Sequence, residues 1–94
     1  MSKVAAFIID GVELWFRSAD HEPPHFHVRK AGEWEIKVHI LTTTSDRLEF
    51  NFKWPRSGAS VPGRLQKQLR EATVGCREAL LTEWETKVVV LEDF

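Results

Sequence analysis

The chain has a single cysteine, Cys76, so no internal disulfide can staple it, a usage that suits a reducing compartment. It has no surplus of either charge: thirteen Lys and Arg stand against fourteen Asp and Glu, a formal net charge of −1. A dedicated nucleic-acid binder neutralises phosphates with excess cations, so nucleic acid is a disfavoured partner. No apolar run approaches the ~20 residues of a membrane span. The apolar stretch after Lys3 is interrupted at Asp10-Gly11, short of a secretory core. A cytoplasmic setting without a membrane is expected. Also missing are a Gly-rich phosphate loop, a helical His-Glu-x-x-His motif and a nucleophile close to the histidines. An enzyme is therefore the less favoured class. A chain of this length buries roughly 60–65% of its unfolded surface, enough for one core, and residues 1–94 are read as one domain.

What is present is alternation. Residues 4–18 read as a β-hairpin about a two-residue Asp10-Gly11 turn, which pairs Ile9 with Val12 and Phe7 with Leu14. Phe7, Ile9, Val12, Leu14 and Phe16 then share a face, and Glu13, Trp15 and Arg17 share the other. His25–Arg29 and Trp34–Ile40 form a second hairpin. A three-residue loop, Lys30-Ala31-Gly32, pairs Phe26 with Ile36 and His27 with Glu35; sliding the pair by two residues would instead set His39 opposite His25. Leu48–Trp54 is a further strand, stopped by Pro55. The period then changes: from Pro62, the residues Leu65, Leu69, Ala72, Cys76, Ala79 and Leu80 form the stripe of one amphipathic helix. Ser60 is placed to cap it, with Pro62 in its first turn and Gly75 marking close packing on the sheet. Val88–Leu91 reads as a short last strand.

The expected fold class is α+β: a twisted antiparallel sheet of about five strands, arranged hairpin, hairpin, strand, on one long C-terminal helix, with a short terminal strand. The sheet face away from the helix would display Glu13, Trp15, Arg17, His25, His27, Arg29, Glu35, Lys37 and His39 to solvent. A large exposed aromatic, Trp15, beside histidines favours contact with a partner.

Three of the four histidines and two of the four prolines fall within Asp20-His21-Glu22-Pro23-Pro24-His25-Phe26-His27-Val28. His-x-His on a strand points two imidazoles to one side. Neutral imidazole suits a divalent transition metal such as Zn²⁺, Ni²⁺ or Mn²⁺, with further ligands available from His21, Asp20 or His39. An acid–base reading has Asp20 orient His21, or Glu35 orient His27. The structural alternative makes Glu22–Pro24 a stiff extended corner that aims the next strand, with either X-Pro bond open to the cis form. Arg64, Lys67 and Arg70 on the helix, with Arg29, Lys37 and Lys53 on the sheet, would touch phosphates or simply meet solvent.

The same nine residues resemble the signature of a bacterial family known only as domain of unknown function 4160. Arg77-Glu78-Ala79-Leu80-Leu81-Thr82-Glu83-Trp84 is similar to that family's helix pattern, in the same order, and the resemblance spans residues 7 to 84. It implies a motif, His21, Pro23, Pro24, His25 and His27, without an attached mechanism. It also implies a gene neighbourhood like that of toxin–antitoxin modules.

Together these readings favour a small interaction or regulatory domain without catalytic activity, an antitoxin-like partner of a protein encoded nearby. It would bind through Trp15, His25, His27, Arg29 and Lys37, with a homodimer through free sheet edges left open. The alternative is a divalent-metal domain, or a metal-dependent hydrolase or nuclease, using His21, His25 and His27 with Asp20 or His39.

Overall fold

A computed structural model describes residues 2–88. Five strands, β1 (Ser2–Lys3), β2 (Glu13–Phe16), β3 (His25–Lys30), β4 (Trp34–His39) and β5 (Phe50–Trp54), form one antiparallel sheet in chain order. Two helices follow, α1 (Gly63–Gly75) and α2 (Arg77–Lys87). The α+β architecture and the apolar face match the alternation in the sequence. Leu14, Phe16, Phe26, Val28, Ile36 and Val38 are buried in one core with Leu69, Leu80 and Trp84 of the helices. Leu, Arg, Gln, Glu and Lys populate the helices, while β-branched and aromatic residues supply the core-facing positions of β3 and β4.

The first hairpin departs from the expected register. Asp10-Gly11 is a turn, with Gly11 at φ 88°, but the strand before it is β1, which pairs Ser2 with Phe16 and Lys3 with Trp15. The ladder ends where Val4 N–H donates to Leu14 C=O at 3.1 Å. Beyond it, Ala5 and Ala6 give their N–H groups to the Glu83 carboxylate, at 2.6 and 2.8 Å. A charged acceptor makes a stronger bond than a ladder carbonyl, so α2 peels this segment off the sheet. Phe7 still reaches the core, edge-on to Phe26 at 5.7 Å.

In the second hairpin the loop is Ala31-Gly32-Glu33, with Gly32 at φ 76°. The ladder is slipped by two residues from the preferred register: Val28 faces Ile36, His27 faces Lys37, and His25 faces His39. A slip of two preserves the parity of every side chain, so the core face is unchanged. The gain is that Trp34, opposite Lys30, is drawn into the core at 2% exposure. β5 begins two residues later than expected, because the Thr43 hydroxyl takes the Glu49 N–H and Leu48 turns into the core outside the strand.

The single long helix is replaced by two. α1 ends at Gly75, and Cys76, at φ −113° and ψ 21°, separates it from α2. A Cβ on Gly75 would meet nothing within 4 Å, so this glycine does not mark close packing of the helix on the sheet. Pro62 is the N-cap of α1 and no side chain caps it, contrary to the place given to Ser60. The break frees α2 to anchor independently: Arg77, its first residue, donates to the carbonyls of Ile40, at 3.1 Å, and Thr43. Leu80 and Trp84 of the same Arg-Glu-x-Leu-Leu-x-x-Trp segment are buried. The peptide bonds before Pro23 and Pro55 are cis. Of the expected last strand, Val88 is the extended residue after α2; the rest lies outside the described residues.

Candidate metal centre

The largest correction concerns the polar sheet face, which is covered over its middle. Trp15, His25, His27 and Glu35 are all buried, His27 completely. Alternation assigns a side chain to a face but not the cover over that face. Here the cover is the connection between β2 and β3. The Asp20 N–H donates to the Arg17 carbonyl and the Arg17 N–H to Asp20 Oδ2, at 3.1 and 3.3 Å, which folds residues 17–20 into a turn. That turn carries the Asp20 carboxylate back over β3. Trp15 stacks on its cross-strand neighbour His27, with ring centres 5.4 Å apart and planes at 22°. The guanidinium groups of Arg17 and Arg29 lie over the Trp15 ring at 5.7 and 5.4 Å, cation–π contacts that close the outer side.

Three ligand-type atoms meet beneath this cover. Asp20 Oδ2 lies 2.8 Å from His27 Nε2 and 3.3 Å from His25 Nε2. Asp20, His25 and His27 each offer one ligand atom within 4.8 Å of the others. Of the two far ring nitrogens, that of His25 is hydrogen-bonded, whereas that of His27 is buried without a hydrogen-bond partner among the described residues. His25 Nδ1 lies 2.9 Å from the Pro23 carbonyl, which can only accept, so Nδ1 carries the proton. His27 Nδ1 lies 3.4 Å from Glu35 Oε2, and Glu35 is in turn paired with Arg17 at 2.9 Å. Metal-binding histidines characteristically donate the second N–H to a carbonyl or carboxylate, which turns the Nε2 lone pair towards the ion.

The electrostatics point the same way. With Nδ1 donating to the Pro23 carbonyl, His25 Nε2 faces a carboxylate oxygen and is buried with no hydrogen-bond partner among the described residues. Two electron-rich atoms at 3.3 Å in a dry site repel unless a proton or cation lies between them. Burial pushes the His27 pKa below its ordinary value of 6.5; the hydrogen bond and charge of Asp20 oppose this, and His25 and Arg17 add to it. His27 is thereby kept in the neutral form that a metal requires. Asp20, with its side chain 13% exposed, is the member of the trio nearest solvent.

The remaining sequence candidates are placed apart. His21 is exposed and outside the trio. His39 stands across from His25, with ring centres 6.2 Å apart, but its Nε2 donates to Asn51 Oδ1 at 2.6 Å. Arg29 pairs with Glu13, and Lys37, opposite His27, is half-buried. Asp20 orients His27 and not its neighbour His21. Two contributors escaped the sequence reading as parts of the site. Arg17 was placed on the face without a role; the signal was its position two residues from Trp15, on the same side. Trp84, whose ring lies 5.3 Å from His25 and 6.4 Å from Phe16, closes the strand end from α2. In the sequence it stands only as the last residue of the Arg77–Trp84 pattern.

Among the described residues no helix is long and apolar enough to cross a membrane. No curated protein and no solved structure matches the chain. A family model described as Domain of unknown function (DUF4160) matches residues 11–85, which take in β2 to β5, Asp20, His25 and His27, α1 and nearly all of α2, and the chain belongs to that family.

Proposed function

We propose that this domain binds a divalent transition metal ion, Zn²⁺, Ni²⁺ or Mn²⁺, through Asp20, His25 and His27. The observation that carries the reading is the buried Nε2 of His25, which faces Asp20 Oδ2 while its Nδ1 is committed to the Pro23 carbonyl. Two imidazoles and one carboxylate are a ligand set that borderline metals accept, and three protein ligands leave coordination open to solvent or a partner. Glu35 Oε2 lies 3.4 Å from His27 Nδ1, on the side away from the trio, and is held by Arg17, so it is placed to support that ring.

Of the side chains expected at an antitoxin-like contact, Trp15, His25 and His27 are buried, so a contact through this face would rest on Arg29 and Lys37, which are half-buried. Metal loading of untagged, chelator-stripped protein tests the proposal. One ion per chain is expected. Ligand at a hundredfold over Kd stabilises by about 2.7 kcal/mol, which at ~4–8 °C per kcal/mol raises Tm by roughly 10–20 °C. Substitution of His25 by Ala should abolish the shift. A protein that takes up none of the three ions, with an unchanged melting curve, refutes it.

A further inference from the structure

The two edges of the sheet are unequal. β1 is two residues long. β5 is five, and among the described residues nothing pairs with its outer side. It carries Phe52 and Trp54, 37% and 38% exposed, one charge, Lys53, and no proline within it. Natural edges are commonly blunted by prolines, by charges or by shortness, and this one has little of that protection.

Its backbone is also set for pairing. The His39 N–H donates to the Glu49 carbonyl at 2.9 Å. Bonding alternates along an antiparallel ladder, so Asn51, opposite Lys37, also bonds β4, and the N–H and C=O groups of Phe50 and Phe52 point to the free edge. The register irregularity against β4 lies between Glu35 and Ile36, which on β5 falls between Phe52 and Trp54 and leaves the Phe50–Phe52 stretch regular.

We propose that β5 pairs antiparallel with β5 of a second copy about a two-fold axis at Phe52, joining the two sheets. That register sets Phe52 against Phe52 at the outward-bonding centre and Phe50 against Trp54, so aromatic meets aromatic along the seam. The outward N–H and C=O of Phe52 meet the same groups of its mate, as an isologous contact requires. Lys53, the only charge on the strand, faces Asn51 of the second copy, with Glu49 on its diagonal, so no like charges stand directly opposite. A foreign extended peptide would satisfy the backbone but not this self-match.

The test is the mass of the full chain by analytical ultracentrifugation across a concentration series, for wild type and Phe52→Lys. The substitution sets two ammonium groups face to face on the axis, and the dimer should weaken by at least about tenfold. Amide exchange on the wild type supplies a readout that no folding defect of the variant can affect: protection of Phe50 and Phe52 should rise with concentration. A monomer at all concentrations overturns the proposal, as does a dimer unmoved by a folded Phe52→Lys. Protection independent of concentration overturns it too, since another segment or a bound peptide would then cover the edge.

Discussion

Replacing Glu35 by Gln tests whether the buried carboxylate organises the centre. The change keeps the volume and removes the charge. Glu35 has a side chain 4% exposed and holds Arg17, 42% exposed, at 2.9 Å. Breaking a fully buried pair costs about 3–5 kcal/mol because a charge is left stranded; exposed pairs contribute about 0–1 kcal/mol. Here the member left behind is the exposed one, which can rehydrate, so the cost falls between these limits, at about 1–2 kcal/mol. The glutamine amide adds a second penalty in one orientation, where its NH₂ faces the guanidinium. In the other, its oxygen still accepts from Arg17. For a domain of this size the loss should lower Tm by roughly 5–15 °C. Melts of metal-free protein, with Arg17→Met and the double variant, measure the coupling, expected at about 1 kcal/mol. Zn²⁺ affinity should fall about 10–100-fold, as for other supports of metal-bound histidine. A Glu35→Gln protein within ~0.3 kcal/mol of wild type, or single effects that simply add, would refute the assigned role.

Acid should loosen the amino-terminal segment first through Glu83. Burial raises its pKa, but Lys87 and the N–H groups of Ala5 and Ala6 outweigh burial and hold it below the usual 4.5. The stabilisation is therefore complete above that value and lost as pH falls through the lower folded pKa; Glu83→Gln should flatten this limb of the urea-stability profile between pH 5 and 2, while an unchanged limb would contradict it. Trp84→Ala removes a buried ring packed on Phe16 and His25 and should cost about 3–5 kcal/mol in urea denaturation. Trp84→Phe should keep most of that stability and the metal site, and a loss under about 1 kcal/mol for the alanine variant would show that Trp84 does not close the site.

The core face was legible because Leu14, Phe16, Phe26, Val28, Ile36 and Val38 obey a period of two, which survives even the two-residue slip of β3 on β4. The slip itself was not legible. The loops Lys30-Ala31-Gly32 and Ala31-Gly32-Glu33 both place a glycine, and burial of Trp34 decides between them only in three dimensions. The helix break was obscured because Cys76 continues the apolar stripe on either side of it. Asp20, His25 and His27 were legible as a motif, since i and i+2 on a strand share a side. Their burial was not, because it depends on Asp20 folding back through hydrogen bonds with Arg17 and on a tryptophan far along the chain. The tight first hairpin failed for a related reason: Glu83 competes for the amides of Ala5 and Ala6 from the other end of the sequence.

That Glu83 contact also orders events in time. It bridges residues 78 and 77 apart in the chain, and Lys87 Nζ reaches the Lys3 carbonyl across 84. The meander from β2 to β5 needs only neighbours in sequence and can form while the chain is still emerging from a ribosome. The segment from Ala5 to Val12 has only side-chain packing such as Phe7 on Phe26 to hold it until α2 supplies the Glu83 carboxylate, and the strand end at His25 stays uncovered until Trp84 arrives. Closing such long loops is the slow part of folding. The domain is therefore locked at its last step by the joining of its two ends, and a truncation that removes only α2 undoes the opening of the chain as well as its close.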